Sequence, residues 1–325
     1  MYTIAEIVTI TGGRFLLNEN EAAAIEHLLI DSRKLLFPST TLFFAIAGPR
    51  RQGNAFVKDL YNKGVRNFVV DASFKFAAQE YADANVITVP SVLDALQKVT
   101  AHHRAQFNIP VIGITGSNGK TIVKEWLYQL LHGNYTIVRS PKSYNSQIGV
   151  PLSVWQMNAT HSLGIFEAGI SMPGEMEILQ KIIQPTIGVI TNIGQAHSEG
   201  FESITQKVQE KINLFYNAAA VIYCKDETII DEAILTLQQK GNAFLFSWGQ
   251  NEAATLCITT IQVQAFNTVI KAEFNERKIS ISIPFTNDAA IKNAITCWCV
   301  LLQLTIADEI ISERMLQLKP VEMRL

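Results

Sequence analysis

The first hundred residues alternate short apolar runs with stretches of helical periodicity. Apolar runs at 41–46, 67–70 and 86–89 are each long enough for one strand. A helical pattern lies near 54–63, and a polar helix is predicted between the second and third runs. Strands separated by helices over so short a distance predict a small α/β domain.

A longer amphipathic helix follows this region. It is predicted from about Ser91 to Gln106, and Ser91 is a suitable N-cap because its hydroxyl can accept a hydrogen bond from a first-turn amide. One face of this helix carries the apolar residues Val92, Leu93, Leu96 and Val99. The helix leads to Pro110, so a domain boundary is expected near 107–110.

The chain beyond Pro110 has the pattern of a second, larger α/β unit. Near-continuous apolar runs predict strands at 110–115, 163–166, 186–191, 220–224 and 243–248. Amphipathic stretches predict helices at about 120–132, 174–183, 203–216 and 227–240. Buried strands joined by helices predict a doubly wound, mostly parallel sheet that is covered on both faces.

The stretch 256–285 differs because apolar and polar residues alternate along it, which is typical of antiparallel strands at the edge of a sheet. A helix from about 288 to 303 follows. The predicted fold class is therefore α/β, with domains at 1–107 and 108–315 and with 316–325 as the start of a further connection.

The amino-acid composition excludes some classes of function for this protein. Lys and Arg number 27 against 29 for Asp and Glu, so the net charge of −2 provides no long-range attraction for nucleic acid or anionic lipid. No apolar run reaches the roughly 18 to 20 residues that span a bilayer, and the N-terminus lacks a signal-peptide pattern. A cytoplasmic protein without a membrane span is expected. The four cysteines lack metal-site spacing, so reduced thiols are predicted.

The strongest chemical signal lies at 111–121, where an apolar strand runs through a Gly-rich turn into a helix. Two glycines let backbone N–H groups converge on a phosphate, and the helix N-terminus adds its dipole. Lys120 supplies a mobile cation, and the Thr121 hydroxyl can bind Mg²⁺. The spacing departs from the strict phosphate-loop motif, because Ile114 stands where the first glycine is expected. The predicted loop consists of Gly116, Ser117, Asn118, Gly119, Lys120 and Thr121.

This loop is one of several sequence blocks that occur together in a fixed order. The others are Asp31–Lys34, Phe43–Gly48, Tyr144–Pro151, Glu167–Gly169 with Pro173–Met176, and Thr191–His197. Together they resemble the Mur ligases, a family whose phosphate loop is shared with folylpolyglutamate synthetases. The similarity runs over the whole chain and is greatest to the branch that joins D-alanyl-D-alanine to UDP-N-acetylmuramoyl-tripeptide.

The resemblance implies which residues bind metal and take part in catalysis. Glu167 follows an apolar strand, so its carboxylate is expected at the carboxyl edge of the sheet, as a Mg²⁺ ligand near Lys120 and Thr121. His197 would be a ligand of a second Mg²⁺. Lys211 matches a lysine that is carbamylated in the family, and carbamylation would make it an anionic metal ligand. Lys207 is the competing candidate for that modification.

The resemblance also implies the binding residues. Asn293 matches the asparagine that contacts adenine, although the His-Asn pair that usually precedes it is absent here. Ser32 and Arg33 would contact the uridine diphosphate in an N-terminal uridine-binding domain, where the Arg33 fork suits phosphate. Asn145 would meet the muramoyl-peptide.

The activity implied is ATP-dependent amide-bond formation through an acyl phosphate, with ATP and Mg²⁺ as cofactors. The substrates would be UDP-N-acetylmuramoyl-tripeptide and D-alanyl-D-alanine. Two alternatives stay open: the sister ligase that adds the third amino acid, and a phosphate-loop binding module or kinase without ligase activity. Folylpolyglutamate synthetases are disfavoured because they lack a comparable uridine domain.

Family members continue into a C-terminal domain that contacts the amine substrate and ATP. Residues 318–325 resemble the start of the connection to it, so this chain is expected to bind substrates without efficient turnover. The resemblance leaves open whether the parent chain also carries a fused alanine racemase.

Overall fold

A computed structural model describes residues 1–48, 51–75, 77–194, 200–239 and 242–321. The chain divides into two compact units, Met1–Gln106 and Phe107–Leu325. Of the predicted connection at 316–325, the described part ends at residue 321. Among the described residues, none of the helices has the length and apolar character needed to cross a bilayer.

The first unit is built from short strands and helices. Its strands are β1 (Tyr2–Thr3), β2 (Arg14–Leu17), β3 (Ala24–Ile25), β4 (His27–Leu29), β5 (Thr41–Phe44), β6 (Ala47–Gly48), β7 (Arg51–Gln52), β8 (Asn67–Asp71) and β9 (Asn85–Val89). Its α-helices are α1 (Ile4–Thr11), α2 (Val57–Asn62) and α3 (Val92–Arg104). Its 3-10 turns are Ser32–Lys34, Pro38–Thr40, Gly53–Phe56 and Ala78–Glu80.

The main sheet of this unit has the order β2-β9-β8-β5-β4, with β2 antiparallel to β9 and the other neighbours parallel. Helix α3 begins after Ser91, whose hydroxyl accepts a hydrogen bond from the Asp94 amide at 3.2 Å. The predicted N-cap and the predicted small α/β domain are confirmed.

The polar helix predicted between β8 and β9 is wrong. Apart from Phe76, which lies outside the described residues, this connection contains only the 3-10 turn Ala78–Glu80. Asp71 ends β8 by accepting a hydrogen bond from the Ser73 amide at 2.8 Å, and Asn54 donates to the same carboxylate oxygen at 3.2 Å. Such local side-chain bonds give the backbone an alternative to a helix.

The second unit has longer elements. Its strands are β10 (Val111–Thr115), β11 (Ile137–Arg139), β12 (Leu163–Glu167), β13 (Ile187–Ile190), β14 (Ala220–Cys224), β15 (Phe244–Gly249), β16 (Leu256–Val263), β17 (Thr268–Phe274) and β18 (Arg277–Ile283). Its α-helices are α4 (Lys120–Leu131), α5 (Gly149–Val154), α6 (Glu175–Ile183), α7 (Ile204–Ile212), α8 (Thr228–Gln238), α9 (Asp288–Gln303) and α10 (Asp308–Leu316). A 3-10 turn, Asn213–Phe215, extends α7.

The sheet of the second unit has the order β11-β12-β10-β13-β14-β15-β16-β17-β18. The neighbours from β11 to β16 are parallel, and β16, β17 and β18 are antiparallel. The predicted doubly wound, mostly parallel sheet with antiparallel edge strands is confirmed. The first strand, β10, lies inside the sheet, and the connections leave it toward both edges. Ligands bind at the carboxyl ends of strands where the winding reverses in this way.

One core cluster of this unit lies between the sheet and helices α4 and α9. Trp126 of α4 stacks on Phe285 with ring centroids 4.9 Å apart, and Trp298 of α9 is buried in the same cluster. Helix α4 is therefore fixed to the sheet along its apolar face, which gives the loop at its N-terminus a rigid base.

All four cysteines are free thiols, as predicted. Cys224, Cys297 and Cys299 are buried, and burial raises the pKa of the Cys224 thiol to about 11. Burial also raises the pKa of the other two buried thiols, so all three stay protonated and act as small apolar residues.

Candidate active site

The predicted phosphate loop joins β10 to α4, and two of its positions require glycine. Gly116 has a φ of 143° and Gly119 a φ of 83°, both in the region that other residues rarely adopt. A Cβ on Gly116 would lie 2.1 Å from the Thr191 hydroxyl oxygen. A Cβ on Gly119 would lie 2.5 Å from Oδ1 of Asn293. The loop thus combines a special backbone conformation with close packing.

The segment after β13 holds this loop in place. The Ser117 amide donates to the Asn192 carbonyl and the Asn118 amide donates to Asn192 Oδ1, both at 2.8 Å. The Thr191 hydroxyl donates to the Asn118 carbonyl at 2.5 Å. Two loop amides are therefore engaged by the protein itself. Thr191 and Asn192 stood in a matching sequence block, but sequence reasoning gave them no role.

The amides at the start of α4 remain available. Among the described residues, the N–H groups of Gly119, Lys120 and Thr121 have no hydrogen-bond acceptor. No acidic residue lies in the first turn of α4, and no side chain caps the helix. A helix N-terminus with free amides attracts an anion through its dipole and its N–H groups. This part of the loop is suited to phosphate.

Lys120 folds back onto the loop. Its Nζ donates to the Gly116 carbonyl at 2.8 Å and to the Ser117 carbonyl at 3.3 Å. Burial lowers the pKa of Lys120, the nearby Glu167 carboxylate opposes this shift, and Lys207 adds to it. A lysine whose partners are neutral carbonyls can exchange them for phosphate oxygens, because ionic hydrogen bonds are stronger.

Glu167 ends β12 and is fully buried. Its neighbour across the sheet is Ile114 of β10, which brings the carboxylate beside the start of α4. The Thr121 hydroxyl donates to Glu167 Oε2 at 3.0 Å, and Lys124 Nζ lies 2.9 Å from Oε1. The contact with Lys124 is ionic, and Oε1 has no directed hydrogen bond within the part of the chain that the structure describes.

Thr121 and Glu167 fit one Mg²⁺. Hydroxyl and carboxylate oxygens are the donors that this cation prefers, and Mg²⁺ is usually held by one or two carboxylates together with substrate phosphates. The two donors already lie together, because Glu167 Oε2 faces the Thr121 hydroxyl at 3.0 Å, and this supports the fit. The described residues contain no group of three or more His, Cys, Asp and Glu side chains that could hold a metal alone. His197, the other predicted ligand, lies outside the described residues.

Both candidate lysines for carbamylation are buried near the loop. Lys211 Nζ donates to the Gly116 carbonyl at 3.1 Å, and Lys207 Nζ donates to the Gly194 carbonyl at 3.0 Å. Burial lowers the pKa of Lys211 to about 7, with further contributions from Lys120 and Lys207. Burial also lowers the pKa of Lys207. As an ammonium, Lys211 would repel Mg²⁺, so it can be a metal ligand only after carbamylation reverses its charge.

A cavity of about 250 Å³ joins these groups to Asn145. It is lined by Gly116, Ser117, Lys120, Asn145, Ser146, Gly169, Ile170, Ser171, Lys207 and Lys211. The Asn145 carbonyl accepts a hydrogen bond from the Gly169 amide at 2.8 Å, two residues after Glu167. The structure therefore brings the loop, the lysines and Asn145 around one space.

Asn293 lies on α9 with 8% of its surface exposed, and its amide packs directly against Gly119. Asn293 therefore lies beside the predicted phosphate loop and is not exposed on the helix surface. The helix is capped by Asn287, whose side chain accepts a hydrogen bond from the Ala290 amide at 2.8 Å. The residues from Asn287 onward, which stand where the family's His-Asn pair is expected, therefore form the start of α9.

In the first unit, Ser32 and Arg33 lie in a 3-10 turn that Asp31 caps. Arg33 donates to the Asp31 carboxylate through Nε at 2.8 Å and Nη2 at 2.6 Å. The hydrogen bonds from Arg33 hold the pKa of Asp31 well below its usual range. The Arg33 guanidinium is thus paired with the carboxylate of Asp31 in its own turn, although 69% of the Arg33 side chain is exposed.

Comparison with known families decides the classification. The family model for the Mur ligase middle domain matches residues 114–301, which is more than half of the chain. The chain belongs to the Mur ligase family. The family predicted from the sequence blocks is confirmed. A second model, described as the Mur ligase family catalytic domain, matches residues 24–104 of this Mur ligase.

The curated relatives of this chain include proteins named UDP-N-acetylmuramoyl-tripeptide–D-alanyl-D-alanine ligase. The protein from Bacillus subtilis (strain 168) is 31% identical over 234 residues, which cover 71% of this chain and 50% of the relative. The protein from Treponema pallidum (strain Nichols) is 28% identical over 323 residues, which cover 97% of this chain and 68% of the relative. This Mur ligase chain thus spans about half the length of the Bacillus subtilis protein.

Solved structures support the same fold. The MurF structure from Acinetobacter baumannii matches with a TM-score of 0.85 at 23% identity, covering 99% of this chain and 69% of that one. The MurF ligase from Thermotoga maritima in complex with ADP matches with a TM-score of 0.79 at 22% identity, covering 91% and 66%. At these identities the likeness establishes the fold of this Mur ligase.

Proposed function

We propose that this Mur ligase chain holds ATP, Mg²⁺ and UDP-N-acetylmuramoyl-tripeptide for the ATP-dependent joining of D-alanyl-D-alanine to the tripeptide. The observation that carries the proposal is that the phosphate loop, its lysines and Asn145 surround one cavity. The names of the curated relatives support the choice of substrates. The use of ATP supports a cytoplasmic location.

The phosphates of ATP are proposed to bind at the start of α4. The amides of Gly119, Lys120 and Thr121 would donate to them, and Lys120 would leave the Gly116 carbonyl for a phosphate oxygen. Asn293, which packs against Gly119, is proposed to contact the adenine.

Thr121 and Glu167 are proposed to hold Mg²⁺, joined by His197 and by Lys211 in its carbamylated form. When bound, the cation neutralises negative charge on the phosphate oxygens. Lys211 is suited to carbamylation because its lowered pKa, about 7, leaves a substantial neutral fraction near pH 7. A neutral amine is the form that can react with CO₂.

The tripeptide carboxylate is proposed to attack the terminal phosphorus of ATP. Its oxygen forms the new P–O bond, the bond to the ADP oxygen breaks, and an acyl phosphate and ADP result. The neutral amine of D-alanyl-D-alanine then attacks the acyl carbon and forms the C–N bond, the C–O bond to phosphate breaks, and the nitrogen loses one proton to the solvent. Lys120 would stabilise the developing negative charge within a cavity where electrostatic interactions are stronger than in water.

Asn145 is proposed to contact the muramoyl-peptide, because it lines the cavity into which the tripeptide carboxylate must reach. Ser32 and Arg33 are proposed to contact the uridine diphosphate. For this, Arg33 would exchange the Asp31 carboxylate for phosphate, and its exposure supports such an exchange.

Calorimetric titration of ATP and of UDP-N-acetylmuramoyl-tripeptide into this chain tests the binding part of the proposal. We expect both to bind, Lys120→Met to weaken ATP binding by at least about tenfold, and Lys181→Met to have no effect. Lys181 is the matched control because it is an exposed lysine on α6 with an ion-pair partner one turn away.

Phosphate release tests the reaction. We expect slow release, and only when both the UDP-linked tripeptide and D-alanyl-D-alanine are present. Release that needs neither would favour a nucleotide hydrolase or kinase. Release with the UDP-linked dipeptide and a single amino acid would favour the sister ligase that adds the third residue.

A further inference from the structure

Lys124 is a buried cation one turn beyond the phosphate loop, and sequence reasoning gave it no role. Its side chain has no exposed surface, and neither has that of Glu167, from which its Nζ is separated by 2.9 Å. An isolated lysine on an amphipathic helix is normally solvated, so its sequence position gives no signal of burial. Burying an ammonium is costly unless oxygens surround it.

Four oxygens surround Lys124 Nζ. Besides Glu167 Oε1, they are the Ser140 carbonyl at 2.8 Å, Glu125 Oε1 at 3.1 Å and the Lys142 carbonyl. Ser140 also contacts Glu167 directly, because its hydroxyl accepts a hydrogen bond from the Glu167 amide at 3.2 Å. The ammonium thus joins helix α4, the end of β12 and the loop that follows β11.

Because Lys124 lies on one side of Glu167 and Thr121 on the other, the two carboxylate oxygens of Glu167 have different partners. Lys124 attracts Oε1 at the back of the site, while Oε2 accepts the hydrogen bond from Thr121 at the start of α4. A carboxylate fixed at both oxygens cannot rotate freely. This arrangement sets the direction in which Glu167 meets a cation beside the Thr121 hydroxyl.

We propose that Lys124 is a positioning residue that orients the Glu167 carboxylate for a divalent cation at the phosphate loop. This role rests on the proposed function, since it requires nucleotide and Mg²⁺ at the loop. Lys124 itself does not touch the substrates. Residues that orient a metal ligand typically change metal affinity by about 10- to 100-fold when they are replaced.

The test measures metal affinity separately from nucleotide affinity. ADP is titrated into the chain in the presence of a chelator, and Mg²⁺ is then titrated into the chain saturated with ADP. We expect Lys124→Met to weaken Mg²⁺ binding by about 10- to 100-fold and to leave metal-free ADP binding unchanged. A general loss of structure would weaken both. Lys181→Met, which removes an exposed ion pair of 2.8 Å, should change neither.

A double-mutant cycle identifies the route of the effect. In a Glu167→Gln background, adding Lys124→Met should cause no further loss of Mg²⁺ affinity, because Lys124 acts through that carboxylate. The double variant leaves no uncompensated buried charge, so it also provides a folded comparison if Lys124→Met alone does not fold. If Lys124→Met alone does not fold, Lys124→Gln replaces it, because it keeps a hydrogen-bond donor without the charge. This variant should still bind Mg²⁺ less tightly than the natural chain.

Two results would overturn the proposal. The first is that Lys124→Met or Lys124→Gln binds Mg²⁺ as tightly as the natural chain does. The second is that Lys124→Met lowers the Mg²⁺ affinity by the same factor whether residue 167 is Glu or Gln. If the natural chain itself binds neither ADP nor Mg²⁺ with ADP, the proposed function fails, and this outcome is distinct from failure of the Lys124 role alone.

Discussion

Helices α4 and α6 begin in the same way but differ in what fills their N-termini. Each follows a glycine in the left-handed region, Gly119 with a φ of 83° and Gly174 with a φ of 86°. Because the N-cap residue is glycine, neither helix is capped by a side chain of its own N-cap residue. At α6, Glu210 from α7 accepts hydrogen bonds from the Gly174 and Met176 amides at 2.8 and 3.2 Å. At α4, the corresponding amides have no acceptor in the described part of the chain.

A glycine before a helix does not by itself make a phosphate site. An internal carboxylate already satisfies α6, and acidic residues also occupy its first turn. The first turn of α4 has no acidic residue and begins with Lys120, and the Lys211 ammonium binds the Gly116 carbonyl in the loop before it. The amides of α4 are therefore available to an anionic ligand, as proposed above.

The largest expected effect separates the two glycines. Both Gly119→Ala and Gly174→Ala force alanine into the left-handed region, which costs about 1 to 2 kcal/mol of stability. Only at Gly119 does the new Cβ meet a neighbour, Asn293 Oδ1 at 2.5 Å, whereas nothing lies within 4 Å of the Cβ at Gly174. We expect Gly119→Ala to weaken ADP binding by more than about tenfold and Gly174→Ala to leave it unchanged. If calorimetry gave the same ADP affinity for Gly119→Ala and Gly174→Ala, the starts of α4 and α6 would not differ in phosphate binding.

The charge of Lys211, beside the start of α4, depends on pH. The pKa of Lys211 is lowered from 10.5 to about 7, mainly by burial, so the unfolded chain binds more protons than the folded chain between these pH values. Stability should therefore rise with pH across this window, by at most about 1.4 kcal/mol per pH unit from this group.

Urea denaturation in CO₂-free buffer measures this contribution. The rise should be smaller in Lys211→Met than in the natural chain, while Lys181→Met should behave like the natural chain. An unchanged pH dependence in Lys211→Met would show that this lysine keeps its ordinary pKa in the fold.

The smallest expected effect tests the internal carboxylate at α6. Glu210→Gln removes the charge that faces the Gly174 and Met176 amides, so we expect the free energy of unfolding to fall by about 0.5 to 1 kcal/mol. ADP affinity should not change, because α4 is untouched. A loss of ADP affinity without a loss of stability would mean that Glu210 serves the nucleotide site instead.

Much of the fold follows from the sequence pattern because the buried parallel strands are nearly continuous apolar runs. The run at 220–224 became β14 with the predicted ends, and the alternating stretch became the antiparallel strands β16 to β18. The polar helix before β9 failed because Asp71 and Ser73 form a local turn whose strength the helical pattern does not reveal.

The site was predictable where a local motif carries the chemistry, as in the loop from Gly116 to Thr121. Partners that come from distant elements left no such signal. Lys124, Asn192 and Glu210 act through tertiary contacts, and only the sheet order and the helix packing determine which amide or carboxylate each one meets.

On the proposal above, a nucleotide phosphate completes the start of α4. The most direct measurement is a titration of ADP followed through the backbone amide resonances of the isotope-labelled chain. We predict large shifts for the amides of Gly119, Lys120 and Thr121 and none for those of Gly174 and Met176. Saturation with ADP that leaves the α4 amides unshifted would contradict the account.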